Sequence, residues 1–252
     1  MERVTLSRRK RPLSNEVCDR IVNDYIANGN VKPGSLLPSE KELTAKYDVS
    51  RVTLRAAIKS LHDRGLVSVR NGVGATVLPR PPVSSKIVHH LERLASLDKA
   101  ASEAGKLLET EDLKWGESIV TPEISTKLRL PVGDPVYFVQ RSKILDEARI
   151  AWTIDWLPTT IIDLDLIRSE FKGSLLDALL QHSELELNYA DLEIVPQILN
   201  SEIAEHLGTP TGGPVLYLDT VVYGAAGQPD IWGQVWVLPE HVRFFIRRHM
   251  QF

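Results

Sequence analysis

Cysteine is nearly absent: Cys18 is the only one in 252 residues. One thiol cannot close an intramolecular disulfide or supply a thiolate metal cluster from a single chain. No apolar run approaches the roughly 20 residues that span a bilayer. The basic start M-E-R-V-T-L-S-R-R-K-R has no apolar stretch behind it, so no secretory signal is expected. There is no G-x-S-x-G, P-loop or G-x-G-x-x-G. The seven histidines show no metal-ligand spacing with Asp or Glu. The expectation is a cytoplasmic protein with no cofactor, no metal and no membrane partner, and not an enzyme.

What is present belongs to an ordinary globular chain of one large or two smaller domains, with 43% hydrophobic and 25% charged residues. The net charge of −3 hides a split. Residues 1–82 hold 15 Lys and Arg against 8 Asp and Glu, and the remainder holds 15 against 25. A basic first third on an acidic body suggests a polyanion partner for the first third alone.

Residues 1–12 form a basic, polar arm. The stripe Val17, Ile21, Val22, Tyr25 and Ile26 predicts a helix from Leu13 to Ala27 with Ser14 as its cap. Ser39 caps a second helix, with Glu42 at the capping-box spacing. Ser50 caps a third, whose buried stripe is Leu54, Ile58 and Leu61 and whose stop is Gly65. Leu66–Arg70 and Ala75–Leu78 read as strands around the turn Asn71-Gly72-Val73-Gly74. Three helices and a hairpin make a winged helix-turn-helix over residues 13–78.

Pro79-Arg80-Pro81-Pro82 sets a domain boundary. A linker over 79–105 follows, with residues 86–105 as a helix or partly ordered connector. Residues 106–252 are strand-rich. Runs at Ser118–Thr121, Val136–Leu145, Ile150–Leu157, Leu187–Val195, Val215–Val222 and Ile231–Leu238 predict strands. Short helices are expected at Glu123–Leu130, Leu164–Phe171, Ser174–Gln181, Ser201–Leu207 and Glu240–Arg247. The fold class is α+β, with an antiparallel sheet. P-V-G-D-P-V-Y-F-V-Q-R and P-T-G-G-P-V-L-Y-L-D-T share an outline, which either a weak duplication or convergent turn chemistry explains.

In a helix-turn-helix the second helix enters the major groove N-terminus first. Here that end carries Ser50, Arg51, Thr53 and Arg55. Arginine can bond guanine in a bidentate way, and hydroxyls can donate to phosphate. Lys41 is placed to reach backbone or a base edge, and Gly72 and Gly74 leave the wing tip without side-chain bulk. L-P-S-E-K-E-L, V-S-R-V-T-L-R and N-G-V-G-A-T-V resemble the DNA-binding domain of GntR-type bacterial transcription regulators. The resemblance implies contact with double-stranded operator DNA by Lys41, Ser50, Arg51, Thr53, Arg55 and the wing at Asn71, Gly72 and Gly74. It also implies a homodimer on a pseudo-palindromic operator, nucleoid-associated when bound. Ala75 departs from the Thr or Lys frequent in that wing.

The order of elements after residue 106 resembles the HutC branch of that family, whose UTRA effector domain is similar to chorismate lyase. The residues carrying it are P-V-G-D-P-V-Y-F-V-Q-R-S-K, a strand ending W-L-P, G-S-L-L-D-A-L and G-Q-P-D-I-W-G-Q-V-W-V. Arg141 and Lys143, two apart on a strand, share a face, and Ser174 stands at a predicted helix start. The resemblance implies that these hold the phosphate or carboxylate of a small anionic effector. Thr153 stands where many branch members carry Glu, Leu176 where a Tyr is common, and Ile231 at an acidic position with Asp230 beside it. Trp152 and Trp156, and likewise Trp232 and Trp236, are four apart, so each pair shares a face. They line a flat apolar site or belong to the core or dimer interface. Asp155 points to the face opposite Trp152. The expected effector contacts are thus Arg141, Lys143, Trp152, Thr153, Ser174, Asp230 and Trp232. The expected activity is metabolite-responsive repression. The alternatives are a DNA-binding factor whose second domain only dimerises and an enzyme on the lyase-like fold.

Overall fold

The computed structural model describes residues 12–70, 72–79, 86–161, 163–181 and 185–248. The basic arm before Pro12, the wing residue Asn71 and residues 80–85 of the proline-rich segment lie outside the described residues. The chain divides into two compact units, chiefly residues 10–84 and 94–244.

In the first unit α1 (Leu13–Ile21) runs on as a π-helical turn, Val22–Ala27. Ser14 does not cap it. The helix starts at Leu13 as expected, but the cap position is Pro12, whose fixed φ of −57° and carbonyl open the first turn. The Ser39–Glu42 capping box of α2 (Glu40–Tyr47) is present in both directions. Asp48, left-handed at φ 51°, turns the chain into α3 (Arg51–Asp63), and Ser50 accepts the Thr53 amide at its start. Leu43, Tyr47, Leu54, Ala57 and Leu61 close on Val17, Cys18 and Ile21 of α1. The hairpin pairs β1 (Val67–Arg70) with β2 (Gly74–Val77). Val67 and Val77 turn into the same core.

The second unit is built on one six-stranded antiparallel sheet. Its strands are β4 (Glu109–Ile119), β5 (Pro135–Leu145), β6 (Ala148–Pro158), β7 (Leu187–Ile198), β8 (Pro214–Gly224) and β9 (Pro229–Val237). Their order is β4-β5-β6-β9-β8-β7. Helix α5 (Pro122–Leu128) joins β4 to β5, and α8 (Ser201–Leu207) joins β7 to β8. The sheet is therefore two strand–helix–hairpin halves meeting at a β6–β9 seam. The repeated outline in the sequence corresponds to this topological repeat.

Residues directly opposite in an antiparallel ladder share a face, and neighbours along a strand alternate. One face carries Val139, Ala151, Leu218, Val222, Ile231 and Val237, under α4 (Leu97–Glu103), α6 (Leu164–Glu170) and α7 (Leu175–Leu179). The other carries Trp152, Val215, Val221 and Trp232, under α5 and α8.

Residues 86–105, expected as a helix or partly ordered connector, hold both the strand β3 (Ile87–His90) and the helix α4. Glu240–Arg247, expected as a helix, is instead the strand β10 (Val242–Phe245), which pairs with β3. Val-Arg-Phe-Phe is strand-favouring, and Ile87, fully buried, bonds through its amide to the His241 carbonyl. β4 is far longer than Ser118–Thr121. It is an edge strand rich in charge, with a bulge at the left-handed Asp112, so it lacks apolar alternation. Among the described residues no helix is long and apolar enough to cross a membrane.

Candidate functional site

The first unit presents Lys41, Arg51 and Arg55 on its surface. The α3 stripe that buries Leu54 and Leu61 leaves Arg51, Val52 and Arg55 outward, with Val52 at 79% exposure. An apolar residue so exposed has nothing in this unit to pack against. Arg55 is not loose: Nε and Nη2 donate to the Glu40 carboxylate at 3.1 and 3.2 Å, tying the start of α2 to α3. Ser50 and Thr53 hydroxyls lie 2.9 Å apart at the α3 N-terminus. At the wing, Gly72 (φ 76°) and Gly74 (φ 118°) have left-handed backbone, and open space surrounds Gly72. Glycine is needed there for conformation, not for lack of room.

In the second unit Arg141 and Lys143 do share a face of β5, and both are buried, at 6% and 1% exposure. They converge on the turn before α7. The Gly173 carbonyl accepts from Arg141 Nε at 3.0 Å and from Lys143 Nζ at 2.6 Å. Each cation also has a carboxylate. Arg141 Nη1 donates to Asp155 Oδ2 at 2.5 Å, and Lys143 Nζ to Asp98 Oδ1 at 2.8 Å. Thr110 Oγ1 is the third acceptor for Nζ, at 3.1 Å. Burial pushes the Lys143 ammonium below its ordinary pKa, and neighbouring Asp98 opposes that shift.

Gly173 has φ +106°, and a Cβ there would lie within 2.9 to 3.1 Å of Asp98 Oδ1, Thr110 Oγ1 and Lys143 Nζ. The cluster closes around a position that only glycine fills. Ser174 follows, buried, its hydroxyl capping α7 through the Asp177 amide at 3.1 Å. Asp177 in turn accepts from Ser96 Oγ at 2.5 Å, and burial raises its pKa. Thr153, buried opposite Arg141 in the ladder, completes the group.

Trp152, Trp232 and Asp230 are not brought to this cluster. Trp152 faces Ser142 and Trp236 in the ladder, on the α8 side, stacked on His206 at 4.0 Å and on Trp236 at 4.9 Å. Trp232 packs with Ile124 and Leu128 of α5 and donates to Asp219 at 2.7 Å. The even spacing that unites each tryptophan pair also sets them on the face away from Arg141. Asp230 lies at the β8–β9 hairpin, bonded to Gln228 at 3.2 Å, and burial raises its pKa. Asp98, Thr110 and Asp177 escape sequence reading because they stand on other elements. Asp155 has a signal, since its parity puts it on the Arg141 face.

The charged cluster occupies one half of the repeat only. Alignment of the two outlines sets Arg141 against Thr220 and, two residues on, Lys143 against Val222. The architecture is therefore complete without the cations, which makes them a feature added to it.

The model described as bacterial regulatory proteins, gntR family, matches residues 13–77, and that of the UTRA domain matches residues 103–243. The chain is 24% identical over 206 residues to the mannosyl-D-glycerate transport/metabolism system repressor MngR of Escherichia coli, covering 82% of this chain and 83% of that protein. It is 25% identical over 198 residues to the HTH-type transcriptional repressor NagR of Bacillus subtilis, 79% of each. The fold is that of the possible transcriptional regulator YydK from Bacillus subtilis, with a TM-score of 0.72 and 20% identity over 94% of this chain and 99% of that one. A DNA-reading head and a ligand-binding effector domain on one chain make a transcription regulator, and this protein belongs to the gntR family of bacterial regulators, in its UTRA-containing branch.

Proposed function

We propose that the protein is a dimeric repressor released from its operator by a small effector bearing a phosphate or carboxylate. Lys41, Ser50, Arg51, Thr53, Arg55 and the wing meet the operator, and the effector's anionic group is seated by Arg141, Lys143 and Ser174 beside Thr153. The observation that carries this reading is the buried cation pair in one half of a repeated sheet whose other half has Thr220 and Val222 instead. Burying two cations costs far more than burying threonine and valine. A fold that does not need them keeps them for a ligand. The effector favours a dimer geometry that no longer fits the half-sites, and it acts by binding the two geometries with different affinity. The chain binds its effector and does not transform it.

The test is fluorescence anisotropy on an operator selected from random duplexes, followed by titration with a panel of phosphorylated and carboxylated metabolites. At least one is expected to release the DNA and to be recovered unchanged by mass spectrometry. Recovery of a product instead would make the protein an enzyme. A second reading, in which the domain only dimerises, is favoured by the carboxylates that already pair with Arg141 and Lys143. Release by none of the panel would support it.

A further inference from the structure

Lys143 has no donor left to give. An ammonium carries three N–H groups, and Asp98, Thr110 and Gly173 accept one each. An anion can therefore reach Nζ only by replacing one of the three. Gly173 is a backbone carbonyl shared with Arg141, in a turn with no space around it. Thr110 sits opposite Lys143 in the β4–β5 ladder. Both are neutral and fixed by the sheet or turn. Asp98 is neither, since it is a charged side chain on a seven-residue helix, α4, packed over the sheet.

The charge count points the same way. Around Lys143 two cations, Arg141 and Lys143, stand against two carboxylates, Asp155 and Asp98. That set is already balanced, so a further anion added to it would meet a surplus of negative charge. An anion exchanged for Asp98 leaves the balance as it was. Arg141 keeps a place for it: Nε and Nη1 are engaged, and Nη2 has no hydrogen-bond partner among the described residues.

We propose that Asp98 is a built-in counter-anion, holding on Lys143 the place that an effector's anionic group takes, so that binding detaches the first turn of α4 from the sheet. This rests on the anion-binding reading of the same site. Ser96, two residues before Asp98, caps α4 and is tied to Asp177. Loss of the Asp98 tie leaves the Ser96 hydroxyl as the polar tie of the helix start, beside the packing of Leu97.

The full chain and inorganic phosphate suffice as a test, with affinity read by isothermal titration. Asp98→Asn keeps the shape and removes the charge. It is expected to bind phosphate at least tenfold more tightly than the unaltered protein. Asp98→Ser also removes the charge, carries the same expectation and covers the case in which the amide does not fold. Equal affinity in all three proteins overturns the counter-anion while leaving the anion site standing. Binding by none overturns the anion site, and the proposal with it. Hydrogen exchange supplies the second readout. Amides of α4 are expected to exchange faster in ligand-free Asp98→Asn and in the phosphate-loaded parent than in the ligand-free parent. Unchanged exchange in both overturns the detachment.

Discussion

Arg141 reaches diagonally across the β5–β6 ladder to Asp155, Nη1 to Oδ2 at 2.5 Å, although its direct neighbour in register is Thr153. Gly233 makes this possible, since a Cβ there would lie 2.8 Å from Asp155 Oδ1. Both side chains are largely buried, at 7% and 15% exposure. Arg141→Ala leaves the Asp155 carboxylate unpaired and is expected to cost about 3–5 kcal/mol. Removing both charges together, as Arg141→Leu with Asp155→Val, should recover most of that loss. Urea denaturation of the double variant and of its two single ones, Arg141→Leu and Asp155→Val, decides it, and additive losses would show that the pair is not coupled.

Operator binding isolates a different residue. Arg51 is exposed and has no role in the core, so Arg51→Ala should leave stability within about 0.5 kcal/mol of the parent. Losing one bidentate base contact should weaken specific binding by about 1–3 kcal/mol. Anisotropy at fixed salt measures the loss, and light scattering checks that the oligomeric state is kept. Normal operator affinity would move the reading face elsewhere.

Asp177 gives a pH signature. Burial raises its folded pKa above the ordinary 3.8. Its contribution to stability is therefore fully present below about pH 3.8 and is lost as pH rises through the folded value. Asp177→Asn removes the titration but keeps an acceptor for Ser96. The parent's melting temperature relative to that variant should fall from acid toward neutral pH. A difference that is flat with pH would refute the burial effect.

Trp152 tests the assignment of the aromatic face. It is 3% exposed and stacked between His206 and Trp236. Trp152→Ala should cost about 3–5 kcal/mol. Trp152→Phe, a milder change, should leave effector-driven operator release as in the parent. Lost release in a folded Trp152→Phe protein would bring this face into the effector site after all.

Local signals were the readable ones. The Ser39–Glu42 box and the Ser50 cap act within a few residues and appear as expected, and the α3 stripe does so at Leu54 and Leu61, with Ala57 buried and Ile58 half-buried. Strands β5, β6, β8 and β9 announce themselves because the interior of the sheet is apolar on both faces. β4 does not, because an edge strand is half solvated and carries charge. β3 and β10 are a pair that neither sequence segment specifies alone: their four-residue strands lie some 150 residues apart and are defined by each other. The site shows the same division. The period of two puts Arg141 and Lys143 together and Trp152 and Trp232 away from them. Asp98 is out of reach of any periodicity, being 45 residues from Lys143 and on a helix over the sheet.

The doubled architecture also fixes the order in which contacts can be made. Within each half, strands join through a hairpin or one short helix, so their pairing closes short loops. Within the six-stranded sheet only the seam is distant: Trp156 meets Trp232 and Ala151 meets Val237, separated by 76 and 86 residues. Loop closure at that separation is slow relative to hairpin formation. The halves of the sheet can therefore form as local units before they zip together along β6 and β9, and substitutions at that seam are expected to slow the forming of the sheet more than substitutions within either half.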